Sequence, residues 1–392
     1  MPQCYLGTRI KQIYLGEDIK RGYIGSELFF SRSQDVTYYV DKNKTYVEEV
    51  EYGETCLSPK TFTPSKSGYT FVGWREDTDY SLDVLPSKTM DDSPISLYAI
   101  YKKEFTHTYH TTDGVSNNTT KLKGSSVVNY KGDGFVDYPT APNSGTIPSD
   151  RWTWRGWSAA NDKAANASVA YSSGSQVQIF EDADFYGLYQ RTLTLSYNGN
   201  GSTGGSVSSQ SGTQYLNGIS RFVNPSFVLK SNGFSKTDSI FNKWALGSVN
   251  GTQYNVGDTV TINDDIAVFA IWKSYTTLFS NSNYHIGSNT GNASEKAGKF
   301  TCETPFNASN ATKLQLTVSG YHNDTPTMGV YLLTSSGEAA SNATLVGTKS
   351  VPGSTAAGGD TTYEFDISKF TGTRYVHITS TLYLYIRSIK YV

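Results

Sequence analysis

Between residues 36 and 274 one pattern occurs three times, and it restricts the fold more than anything else in the sequence. Each copy opens on a strand-like run: VTYYVDKN from Val36, FTHTYHTTDG from Phe105 and LTLSYNGNG from Leu193. Each passes through a Gly/Ser/Thr/Pro-rich stretch to an aromatic-x-x-Trp segment: GYTFVGW ending at Trp74, RWTWRGW ending at Trp157 and DSIFNKW ending at Trp244. Each closes on one strand pattern: LYAIYKK from Leu97, FYGLYQR from Phe185 and VFAIWKS from Val268. The tryptophans stand 83 and 87 residues apart, a period that marks an array of small domains. The closing strand alternates with period two, Leu97-Ala99-Tyr101 against Tyr98-Ile100-Lys102, so one face is set to pack on the tryptophan. A domain this small has little interior, and a buried indole supplies much of it. Phe71, Trp74, Trp154, Trp157, Phe241 and Trp244 are therefore read as the core of the repeat. The competing reading is a sugar-stacking tryptophan at the same place in every copy.

Composition agrees with this. Aromatic residues reach 14%, 29 of them Tyr, beside 36 Gly and only 17% charged residues. That mixture suits pleated strands and turns, and no stretch sustains a helical 3.6-residue period. A net charge of −2 without a basic stripe leaves no footprint for nucleic acid. No 18-residue apolar run exists, so no membrane span is expected. Cys4, Cys56 and Cys302 are far apart and lack metal-ligand spacing, which predicts free thiols.

The two ends differ from the middle. Residues 275–392 contain no Trp and carry alternating runs such as KLQLTVSGY, MGVYLLTS, TTYEFDISKF and RYVHITST. Strands joined by short turns predict a β-sandwich. At the start, Tyr5-Leu6-Gly7, Tyr14-Leu15-Gly16 and Tyr23-Ile24-Gly25 recur every nine residues, each followed by Ile10, Ile19 or Leu28. Gly7, Gly16 and Gly25 permit turns, with short strands between them. Such an arm is too small to hold a core. It is satisfied by adding strands to a partner's sheet, by pairing with copies of itself, or by packing as a hairpin on the first repeat.

The expected architecture is mainly β. It comprises a short-strand arm (1–33), three small repeat modules in tandem (34–104, 105–191 and 192–274) and a C-terminal β-sandwich (275–392). GYTFVGW followed by LYAIYK resembles the Listeria–Bacteroides repeat, also known as the internalin B-type repeat. The third copy extends the likeness with YNGNGSTGG and GTQYNVGDTVTINDDIAVFAIWK, and the second departs from it where RWTWRGW replaces GYTFVGW. The resemblance implies compact β-grasp-like modules that serve as spacers or adhesive segments of surface proteins, without catalytic residues. YEFDISKFTGTRYVHI and the final LYLYIRSIKYV resemble the closing part of a jelly roll of the galactose-binding or carbohydrate-binding-module kind.

The start, MPQCYLGTRIKQ, lacks the apolar segment of an export signal, and no anchor follows Val392. The tandem YLG-x-x-I-K segments resemble N-terminal stretches of phage tail and minor structural proteins. Together these predict a phage virion component, made in the host cytoplasm without a signal peptide and external on the particle. In that reading the arm residues Tyr5, Gly7, Ile10, Tyr14, Gly16, Ile19, Tyr23, Gly25 and Leu28 dock on other virion proteins. A host-surface glycan or protein is the outward partner, and homo-oligomers are compatible with it. Three alternatives stay open: a capsid decoration or head-fibre protein, a bacterial surface adhesin, and a tail depolymerase.

No nucleophile elbow, zincin helix motif, phosphate loop or dinucleotide fingerprint occurs. His107 and His110 lie three apart in a strand-like run, hence on opposite faces, an arrangement that suits a metal poorly. No catalytic, cofactor or metal site is expected. Glycan-binding candidates are Tyr284, His285, Tyr321, His322, Asn323 and Asp324, in two loop-like stretches of the terminal sandwich.

Overall fold

A computed structural model describes residues 21–24, 27–129, 131–144, 147–149, 151–288, 290, 297–354 and 359–392. It is built of strands. Among the described residues the helical turns are two short 3-10 segments, Ala308–Asn310 and Ala340–Asn342, and no helix is long and apolar enough to cross a membrane. The chain divides into two compact units. The first holds residues 1–192 and 213–224, the second residues 193–212 and 225–392.

Of the arm, Tyr5, Gly7, Ile10, Tyr14, Gly16, Ile19 and Gly25 lie outside the described residues. Its last copy is a hairpin. Strand β1 (Arg21–Ile24) pairs antiparallel with β2 (Glu27–Ser31), and Tyr23 stands opposite Leu28.

The first unit contains two modules of one design. In the first, β3 (Ser33–Asp41) pairs antiparallel with β4 (Lys44–Glu51) and parallel with β6 (Ile95–Thr112), while β5 (Thr70–Arg75) lies antiparallel to β6. In the second, β6 itself is the opening strand. Its residues His107–His110 run parallel to β10 (Ala183–Asn198), and β9 (Thr153–Trp157) lies antiparallel to β10. The expected boundary at 104/105 therefore falls inside one unbroken strand, without a linker. The hairpin of β7 (Asn117–Asn129) and β8 (Gly132–Asp137) folds back along β6, and Val128 pairs with Tyr101 and joins the first module's core. Residues 213–224 make a similar return to the second module. Tyr215 and Leu216 pair with Val223 and Phe222, and Leu216 packs with Tyr189 and Trp152.

The third module, in the second unit, repeats the ladder. Leu195–Asn198 run parallel to Ile266–Phe269, and the strand Ser239–Leu246 lies antiparallel to Ile266–Ser274. Trp74, Trp157 and Trp244 are buried to within 1% of complete. They face Ala99, Gly187 and Ala270 across their ladders. Each indole donates its Nε1–H to a backbone carbonyl fourteen to seventeen residues earlier: Leu57 at 3.1 Å, Pro142 at 3.0 Å and Lys230 at 2.9 Å. A tyrosine of the opening strand meets each one, Tyr38 at 5.0 Å, Tyr109 at 4.9 Å and Tyr197 at 5.0 Å between ring centres. The second module's departures compensate one another. Where the others carry Phe71 and Phe241, it carries the larger Trp154, and the strand residue opposite Trp157 has shrunk from Ala to Gly187. A Cβ on Gly187 would stand 2.7 Å from the Trp154 ring, so the bigger aromatic occupies the space of the lost methyl.

His107 sits in the second module among the rings of Phe105, Tyr109 and Phe185 and is fully buried. Its Nε2 donates to the Ile179 carbonyl at 3.1 Å, and its Nδ1 meets no polar partner. In the sandwich, His377 is 4% exposed and bonds Thr301 at 2.8 Å through Nδ1. Burial holds both imidazoles below the ordinary 6.5, and Lys299 adds to this at His377. Unfolded chains thus take up protons first as pH falls. The histidine contribution to stability is complete above about pH 6.5 and is lost as pH drops below it towards the folded-state values. Thermal unfolding between pH 7.5 and 5 should show a falling midpoint, and a flat profile there would contradict the burial of these rings.

Residues 275–392 form two facing sheets. One orders its main strands as Thr276–Ser280, Leu384–Tyr391, Lys313–Tyr321 and Thr361–Asp366. The other orders them as Gly298–Thr301, Thr373–Ser380, Thr327–Leu333 and Thr344–Ser350. Numbered one to eight along the chain, these are 1-8-3-6 and 2-7-4-5, the winding of an eight-stranded jelly roll. The core between them is aliphatic, with Leu314, Leu316, Val318, Val330, Ile378, Ile386 and Ile389 fully buried. The third module meets the sandwich within the second unit. Tyr275 N–H donates to the Asp238 carbonyl at 2.9 Å, Tyr275 Oη donates to Glu364 at 2.6 Å, and Lys390 is paired with Asp238.

Candidate functional site

The first sheet of the jelly roll carries a polar and aromatic surface built from several strands. Its last strand alternates strictly at the start. Leu384 and Ile386 enter the core, so Tyr385 and Arg387 face outward. The short strand His285–Ile286 pairs with this strand and sets His285 opposite Tyr385, and Ser319, near the end of Lys313–Tyr321, lies opposite Tyr385 on the other side. Strand pairing thus gathers four rings from three separate stretches of the sequence. His285 stacks on Tyr383 at 4.5 Å and 21°. Tyr321 meets Tyr383 at 4.8 Å, and Tyr385 meets Tyr383 edge-on at 5.3 Å. Burial, and after it a hydrogen bond with Tyr385, pushes the Tyr383 hydroxyl up to about 12, so it stays protonated at any physiological pH.

The patch continues into an open groove of about 650 Å³ lined by Ser280, Ser282, Asn283, Asp360, Arg387, Ser388 and Lys390. The Arg387 guanidinium joins the two parts. It lies 4.4 Å from the Tyr385 ring centre, its Nε donates to Asp360 Oδ1 at 3.0 Å, and its Nη1 donates to the Ser282 carbonyl.

The residues singled out from sequence separate here. His285 and Tyr321 belong to the aromatic patch. Tyr284 turns inward, packing on Phe279 at 5.3 Å and Phe300 at 4.9 Å against the core. His322 is exposed, takes a left-handed backbone with φ 49°, and stands edge-on to Tyr321 at 4.0 Å. Asp324 closes the turn by donating its N–H to the Tyr321 carbonyl at 2.9 Å, and Asn323 is exposed beside it. Glycine at 353 lets this turn lie close, since a Cβ there would stand 2.3 Å from the His322 carbonyl oxygen. Tyr383, Tyr385, Arg387 and Asp360 were not singled out. Their signal was present in LYLYIRS, where Tyr383, Tyr385 and Arg387 recur at period two.

His110 is bonded to Asp184 at 2.6 Å and stacked on Tyr186, on the opposite side of its strand from His107. Among the described residues no three His, Cys, Asp or Glu side chains are grouped to hold a metal. Cys56 and Cys302 are free and buried, and burial raises both thiols.

Two stretches, residues 35–100 and 194–271, match the family model described as the Listeria-Bacteroides repeat domain. They are the first and third modules and make up a little over a third of the chain. The second module, outside the match, has the same ladder. No curated protein matches the chain. Among solved structures, a glycoside hydrolase family 43 arabinoxylan arabinofuranohydrolase from Bacillus subtilis, in complex with cellotetraose, aligns at 12% identity and a TM-score of 0.20. The alignment covers 89% of this chain and 56% of that one, so this chain spans little more than half of that protein's length. A likeness at that level carries no argument. The first and third modules are thus similar to the Listeria-Bacteroides repeat domain, a likeness that suggests a surface or adhesion-type module.

Proposed function

We propose that this is a non-enzymatic adhesive protein whose repeat modules present a saccharide-binding jelly roll at a surface. The observation that carries the reading is the patch of His285, Tyr321, Tyr383 and Tyr385 running into a hydroxyl-lined groove. Aromatic rings offer an apolar platform for the C–H face of a sugar, and short polar groups beside them fix its hydroxyls. Two half-exposed rings, Tyr321 and Tyr385, should carry most of the contact. On an array of immobilised glycans the full chain should bind at least one class. Tyr321→Ala and Tyr385→Ala should each weaken that binding by on the order of tenfold. Unchanged binding by both variants would remove the patch from the mechanism.

A more particular form of this proposal makes the surface a phage particle, with the arm as the docking element. The nine-residue repeat and its one described copy, the Tyr23–Leu28 hairpin, support it. A two-stranded hairpin is marginal alone and gains from adding to another sheet. In a phage that encodes the chain, deletion of residues 1–33 should leave the modules folded and abolish incorporation into particles. Normal incorporation would end the docking role of the arm.

A further inference from the structure

We infer that the groove on the jelly roll selects a neutral saccharide and discriminates against acidic glycans such as uronate- or sialate-bearing polymers. This rests on the saccharide-binding reading above and concerns the charge of the ligand. The groove contains two cations, and a sugar carboxylate or phosphate would need one of them. Neither is available as an unmatched charge. Arg387 holds Asp360 at 3.0 Å through Nε, gives Nη1 to the Ser282 carbonyl and is spread over the Tyr385 ring. Lys390 is paired with Asp238, which reaches it from the third module of the same unit. Two cations face two carboxylates, so the groove has no net positive field to draw an anion.

The neutral groups left at the surface suit a polyol. Ser280, Ser282 and Asn283 are exposed and Ser388 is half-buried beside them. Hydroxyls and a primary amide can both donate and accept, as sugar hydroxyls do. Asp360 remains 40% exposed while its Oδ1 is held by Arg387. A carboxylate fixed in place by a cation is a strong acceptor for adjacent hydroxyls on one ring. The same carboxylate would repel a sugar acid. Tyr385, with the guanidinium on it, and Tyr321 then supply the stacking surface, whose contribution does not depend on ligand charge.

The test uses the full chain and two sets of immobilised probes: neutral galactan, glucan and mannan, and acidic polygalacturonate and polysialic acid. Retention is expected on at least one neutral probe, changing less than about twofold between 50 and 500 mM NaCl, because no ion pair with the ligand is screened. The acidic probes should not be retained. Asp360→Asn should reverse the preference. It weakens the neutral interaction by about tenfold and, by leaving Arg387 uncompensated, creates salt-sensitive retention on polygalacturonate. Thermal unfolding of the variant beside the parent checks that the sandwich remains folded. Retention of the acidic probes alone, lost at 500 mM NaCl, would overturn this inference and leave the adhesive reading standing. Retention of none of the five would overturn both.

Discussion

Leu216→Ala is expected to destabilise the second module, although the residue lies in the sequence of the third. Leu216 is 1% exposed and packs with Tyr189 and Trp152, in the unit that excludes the chain on either side of residues 213–224. Removing a buried leucine side chain costs about 2–5 kcal/mol, depending on how far the site collapses. Three further ties hold the same excursion: Arg191 to Gln214, Asn217 Nδ2 to the Lys163 carbonyl at 2.7 Å, and Ser220 Oγ to Asn117 at 2.8 Å. Amide hydrogen exchange locates the loss. Faster exchange should appear in Thr153–Trp157 and in residues 183–190, with Ser239–Leu246 and Ile266–Ser274 unchanged. Loss confined to the third module's strands would mean that the excursion belongs to that module after all. The first module supplies a matching case. Ile100 and Tyr101 are buried under the β7–β8 hairpin, whereas the equivalent Ile271 and Trp272 of the third module, which has no successor of its kind, stay half-exposed. The closing strands of the first and second modules are thus finished by chain that follows them.

That dependence explains what could and could not be read from the sequence. The repeat was legible because each module needs its own aromatic-x-x-Trp segment and its own small residue opposite the indole. Those requirements are local and recur at fixed offsets. The β-rich composition and the period-two runs of residues 275–392 likewise follow from the pleat of single strands. Return of one module's hairpin to its predecessor is a long-range pairing, and nothing in Leu216 or Val128 marks the partner. The aromatic patch shows the same limit. Tyr284 and His285 are neighbours in sequence, and one strand must send them to opposite sides, yet only the pairing of His285 with Tyr385 decides which faces out. Tyr383, Tyr385 and Arg387 meet Tyr321 and the groove residues only because strands one, three and eight of the jelly roll lie side by side.

Trp244→Ala should remove about 3–5 kcal/mol from the second unit, the range expected for deletion of a fully buried large aromatic. The side chain is 0% exposed and packed on Tyr197, Phe234 and Phe241, so its removal leaves a cavity that three other rings line. Trp244→Phe separates packing from hydrogen bonding. Phenylalanine keeps much of the apolar contact but leaves the Lys230 carbonyl without the indole N–H that reaches it at 2.9 Å, a loss of about 1–3 kcal/mol when the acceptor is buried. Urea unfolding of the full chain should therefore rank parent, Trp244→Phe and Trp244→Ala in falling order. The same order is expected at Trp74 and Trp157, whose indoles make the same bond to Leu57 and Pro142. The alternative role for these residues, stacking on sugar, makes the opposite forecast: near-parental stability with glycan binding lost. Indoles closed over on every side cannot present a face to a ligand. If Trp244→Ala lost under about 1 kcal/mol, below the range for a buried aromatic, the ring would have to be accessible and the binding surface would have to be sought on the modules instead of the jelly roll.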